Sequence, residues 1–122
     1  MNIDRIKALD FTVFADPDHE ECGLILMSIS RRNYVLVPVP NRTDDAGEHG
    51  LITQRDVLKA LDKHPYSYVV GLVHTHREHH DSEPSSYDLT ELPANHFGIV
   101  YHPHSRSITT YEAGRVTNRF RI

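Results

Sequence analysis

YSYVVGLVHTH, residues 66–76, is the stretch on which the fold reading turns. Its β-branched and aromatic residues favour a strand, and Pro65 just before it closes whatever precedes. Side chains in a strand alternate with a period of two. His74 and His76 therefore point to one side, with Cα atoms roughly 6–7 Å apart at about 3.3 Å per residue. The strand thus begins in the apolar core and ends in two imidazoles beside a polar loop.

Working outward, TQRDVLKALDKH (53–64) reads as a helix. Thr53 caps it, Asp56 sits in the first turn, and Val57, Leu58 and Leu61 make an apolar stripe. Further upstream, CGLILMSIS (22–30) is a buried strand after the DPDHEE turn, and YVLVPVPN (34–41) is a second strand. The two prolines of the latter place it at an edge or a strand end. NRTDDAGEHG is a polar loop. IDRIKALDFTVFA (3–15) suits a short helix with Ile3, Ile6, Leu9 and Val13 on one face, while Phe11-Thr12-Val13 also suits a strand. Downstream, PSSYDLTEL is a short helix after a loop, HFGIVYHP and SITTYEAG form a hairpin, and VTNRFRI is a last strand. This mixture is an α+β pattern rather than a regular parallel α/β one.

The 122 residues fit one domain, 1–122. A net charge of −4 argues against nucleic acid as a partner, because a phosphate binder carries a basic face. Cys22 stands alone, so there is neither a disulfide framework nor a four-thiolate zinc finger. The first residues, MNIDRIKALDF, lack the apolar run of a signal peptide, and no segment reaches about 18 apolar residues. A soluble cytoplasmic protein without membrane contact is expected.

Two readings of His74-Thr75-His76 stand side by side. The pair either converges on a metal or marks the point where a strand meets solvent. Ser85-Ser86-Tyr87-Asp88 likewise has a local explanation, with Ser85 capping a helix and Asp88 at its positive end. The readings are compatible, since a helix's first turn is a rigid base from which Asp88 can reach a metal. A water-activating zinc site needs three protein ligands and a separate general base. Glu20 and Glu21, before the 22–30 strand, are the available carboxylates, although locally both read as solvated turn residues.

Taken together, Glu20-Glu21-Cys22-Gly23-Leu24, His74-Thr75-His76 and Ser85-Ser86-Tyr87-Asp88 resemble the JAMM (MPN+, JAB-type) metalloprotease domain, in the right order over most of the chain. Asn41, after a strand ending in Val-Pro, matches a further common feature. The resemblance implies a layered mixed β-sheet flanked by helices, of the cytidine-deaminase-like kind. It implies one Zn²⁺ per chain held by His74, His76 and Asp88. Glu20 becomes the general acid/base, and Ser85 the hydrogen-bond donor to the substrate carbonyl or oxyanion. It implies hydrolysis of a peptide or isopeptide bond in a protein or peptide substrate, often beside a ubiquitin-like or sulfur-carrier-like tail.

This sequence departs from the pattern twice. Eight residues, not seven, separate His76 from Ser85, and Arg77 stands where a proline commonly follows the second histidine. A loop absorbs one residue at small entropic cost, whereas oxyanion placement tolerates little error. The alternative function is therefore a catalytically impaired scaffold or binding module of the same fold. The Pro-Ser-x-x-Asp-Leu run also resembles phage tail-assembly proteins and bacterial enzymes that trim ubiquitin-like proteins. His79 and His80 fit no position of the pattern, and His102 and His104, flanking Pro103, read as surface. Cys22 reads as a small buried residue rather than a nucleophile. The sequence leaves the oligomeric state open.

Overall fold

The computed structural model describes residues 1–16, 19–41, 52–77 and 95–122. Six strands form one mixed sheet: β1 Cys22–Ser28, β2 Tyr34–Val39, β3 Ser67–Thr75, β4 Phe97–His102, β5 Ser107–Glu112 and β6 Arg115–Arg121. Their spatial order is β2-β1-β3-β4-β5-β6. Only β3 and β4 are parallel neighbours; the other adjacent pairs are antiparallel. Helix α1 (Ile3–Lys7) and a 3₁₀ turn (Phe11–Val13) precede the sheet, and α2 (Gln54–Lys63) lies between β2 and β3. This is the expected α+β architecture.

Each face of the sheet buries its own apolar cluster. On one, Ile6, Phe11 and Phe14 from the N-terminal segment pack against Ile25, Val73, Phe97, Ile99, Tyr101 and Ile108. On the other, Ala60, Val57 and Leu61 of α2 pack with Leu24, Leu26, Leu72 and Val37. Leu24 and Leu26 are fully enclosed, and each such side chain contributes about 1.5–3 kcal/mol.

Helix α2 starts as its sequence dictates. The Thr53 hydroxyl accepts from the Asp56 amide at 3.3 Å and donates to the Asp56 carboxylate at 2.8 Å. Its apolar stripe differs from the expected one: Leu58 is 59% exposed, and Ala60 takes the inward position instead. Val57, Ala60 and Leu61 follow the i, i+3, i+4 spacing of one helix face. At the N-terminus the expected short helix forms but ends at Lys7, short of Leu9 and Val13, and Phe11–Val13 is a 3₁₀ turn rather than a strand. Phe11 and Phe14 go inward while Val13 stays 44% exposed.

A β-bulge opposite Ile25 and Leu26 decides which way the histidines face. There Ile25 pairs with Gly71 but Leu26 with Val69, which leaves Val70 as the extra residue. Val69 and Leu72 consequently both face α2, while Val70 and Val73 both face the N-terminal cluster. An unbroken alternation would turn every later side chain to the opposite face. Cys22 and His74 are direct partners in the β1–β3 ladder, so His74 shares the α2 side of the sheet with Leu24 and Leu72. Strand β2 lies at the sheet edge, as its prolines predicted. The two-residue link Ala113-Gly114 joins β5 to β6 with φ of 51° and 78°, which is the primed-turn geometry of tight hairpins. Among the described residues, no helix is long and apolar enough to cross a membrane.

Candidate metal centre

The site forms where β3 leaves the sheet. His74 is within the strand and His76 just past its last residue. Parallel pairing with β4 continues to Thr75–Tyr101, and the His76 amide donates to the Tyr101 carbonyl at 3.0 Å. That bond keeps His76 in phase with His74 beyond the formal strand end. The rings tilt toward each other, with centroids 5.0 Å apart, and the two Nε2 atoms lie 3.2 Å apart.

Glu20 completes the group. Its side chain is 4% exposed, and one carboxylate oxygen lies 3.7 Å from His76 Nε2. One ligand atom from each of Glu20, His74 and His76 lies within 4.8 Å of the others. The donor set suits a metal ion. Two nitrogens on a tetrahedral zinc at 2.0–2.1 Å stand about 3.3–3.4 Å apart, close to the observed 3.2 Å. Imidazole with carboxylate is also a borderline ligand set that favours zinc over magnesium. Glu20, His74 and His76 could thus hold a metal ion.

Local reading of Glu20 and Glu21 as solvated turn residues is corrected at Glu20. The chain at 20–21, just before β1, is already bonded to β3. The Thr75 amide donates to the Glu21 carbonyl at 2.9 Å. The Glu21 amide in turn donates to the Thr75 hydroxyl at 2.8 Å. Asn41, two residues past β2, donates from Nδ2 to the Glu20 carbonyl at 2.8 Å. Glu21 turns outward, where its carboxylate accepts from the Asp16 amide at 2.8 Å. His19 pairs with Asp16 at 3.0 Å and is largely exposed. Cys22 is buried as expected.

Residues 12–117 match a family described as prokaryotic homologs of the JAB domain. The chain belongs to that family. No curated protein matches it. The family assignment agrees with the six-stranded mixed sheet. In this JAB-type chain, the expected ligand Asp88 and the expected oxyanion donor Ser85 lie outside the described residues, as do His79 and His80.

One further residue was misread from sequence. His102 is only 6% exposed, not a surface group. It is the last residue of β4, next to the His76 end of β3. Its Nδ1 accepts from the Ser105 amide at 3.2 Å and lies 2.9 Å from the Ser105 hydroxyl. The alternation of FGIVYH carried the signal: His102 shares the phase of Val100, which pairs with His74. His104, by contrast, is exposed.

Proposed function

We propose that this JAB-domain protein is a zinc-dependent peptidase or isopeptidase. The observation that carries the reading is a buried carboxylate, Glu20, set 3.7 Å from an imidazole pair whose nitrogens are 3.2 Å apart. A carboxylate is enclosed only where partners hold it, and an enclosed carboxylate beside imidazoles is a frequent mark of a functional site. His74 and His76 would hold the ion, with Asp88 as third ligand. The chemistry a zinc ion supplies at such a donor set is Lewis-acid activation of water near neutral pH. Glu20 takes the proton from the attacking water and carries it to the leaving amine nitrogen. Ser85 donates its hydroxyl hydrogen to the carbonyl oxygen as negative charge develops there.

The substrate class that fits is a protein or peptide, with a ubiquitin-like or sulfur-carrier-like tail as the first choice and phage tail assembly as the second setting. The lone buried Cys22 accords with a reducing cytoplasm, the host's if a phage encodes the chain. Incubation of the zinc-loaded protein with ubiquitin-like and sulfur-carrier fusions, read by mass spectrometry, tests the activity. Cleavage by the wild type and none by Glu20→Gln is expected. Equal cleavage by both would remove Glu20 from the mechanism. The eight-residue spacing between His76 and Ser85 favours a second reading, a scaffold module without catalysis. That reading predicts partner binding indifferent to chelation and to Glu20→Gln.

A further inference from the structure

The peptide group between Glu20 and Glu21 is held at both ends by side chains from distant parts of the chain. Its carbonyl oxygen accepts from Asn41 Nδ2, and its N–H donates to Thr75 Oγ1, each at 2.8 Å. Asn41 follows β2, and Thr75 ends β3, so the clamp ties three segments together. Thr75 is 1% exposed, and its hydroxyl takes the place that a backbone carbonyl fills in a regular antiparallel pair. The chain therefore enters the ladder at Glu21 with its peptide plane already fixed.

We propose that Thr75 and Asn41 are positioning residues that aim the Glu20 carboxylate at the His74/His76 pair. The inference rests on the hydrolase reading for what Glu20 does, but the clamp is a property of the fold. A peptide plane fixed at both ends pins the Cα of Glu20 and its Cα–C bond, leaving one backbone rotation, ψ of Glu20, between the clamp and the Cα–Cβ bond. Thr75 is also the residue between the two histidines, so one residue couples the base's backbone to the spacing of the imidazoles. In the proposed function the ion is held by His74, His76 and Asp88 and Glu20 is the base. Loss of Thr75 or Asn41 should therefore disturb the aim of Glu20 more than metal binding.

The test uses the full chain with Co²⁺ as the probe ion, comparing wild type with Thr75→Val, Thr75→Ser and Asn41→Ala. Three quantities are read by NMR and absorption: Co²⁺ affinity, amide exchange at Glu21, and the pseudocontact shift of the ¹³C-labelled Glu20 carboxyl, assigned with Glu20→Gln. In Thr75→Val the Glu21 amide should exchange about tenfold faster, the loss of one hydrogen bond. The Glu20 shift should move or broaden while Co²⁺ affinity stays within about threefold. Thr75→Ser, which keeps the hydroxyl, should restore both signals. Unchanged Glu21 exchange and an unchanged Glu20 shift in Thr75→Val, with Co²⁺ bound, overturn the proposal. If Thr75→Val does not fold, Asn41→Ala decides through the same Glu20 shift. If the wild type binds no Co²⁺, the metal reading fails separately. The diamagnetic Glu20 carboxyl shift and Glu21 exchange then decide the clamp, and no change in either variant overturns it.

Discussion

At the scale of single residues, the proposed hydrolysis rests on Glu20. Conversion to Gln keeps the side chain's size and hydrogen-bonding reach but removes the proton acceptor. Glu20→Gln should retain the metal and lower kcat by roughly 10²–10⁴-fold, as measured on any cleaved substrate. Its burial could not be seen in HEECGL read alone, because it depends on Asn41, 21 residues away, and Thr75, more than fifty away. Only the match of separated motifs singled out Glu20 over Glu21. His74 and His76 were legible from period-two alternation, and the 3.2 Å nitrogen separation agrees. His102 was obscured by Pro103, which suggests a turn and draws attention from the strand that ends just before it.

At the scale of elements, β3 owes its useful phase to a bulge. A Cβ at Gly71 would stand 2.8 Å from the Phe97 carbonyl oxygen and 2.9 Å from the Phe97 ring. Backbone cannot yield cheaply there, so Gly71→Ala should cost about 1–3 kcal/mol by urea denaturation. Strand type was readable from VVGLV, but the bulge was not, since it depends on which residues of β1 lie opposite. The β5–β6 turn is a milder case. Ala113 is held at φ 51°, where residues other than Gly and Asn are disfavoured. Ala113→Asn should therefore raise stability by roughly 0.5–1 kcal/mol, seen as a higher urea midpoint with an unchanged slope. Helix α2 shows the opposite limit: capping by Thr53 was legible, whereas Leu58 and Ala60 exchanged roles because propensity does not say how the helix rolls on its sheet.

At the scale of the whole molecule, the sheet brings together residues from three separated segments. Glu20 enters before β1, Asn41 leaves after β2, and the histidines close β3; this convergence makes the site and the fold one object. An ion bound only by the folded chain should stabilise it, by roughly 2.7 kcal/mol at a hundredfold excess over Kd. The melting temperature should accordingly fall when a chelator is added and recover when zinc is restored. The α+β class was legible in element order and the layered mixed sheet in the resemblance of the separated motifs, and the family match over residues 12–117 agrees with both. The most direct test is the zinc content of purified protein by inductively coupled plasma mass spectrometry, beside a His74→Ala/His76→Ala variant. About one zinc per chain, absent from the variant, is expected of a His-His-carboxylate centre. No bound metal in the wild type, even after incubation with excess zinc and dialysis, would contradict the metal centre and leave the scaffold reading in its place.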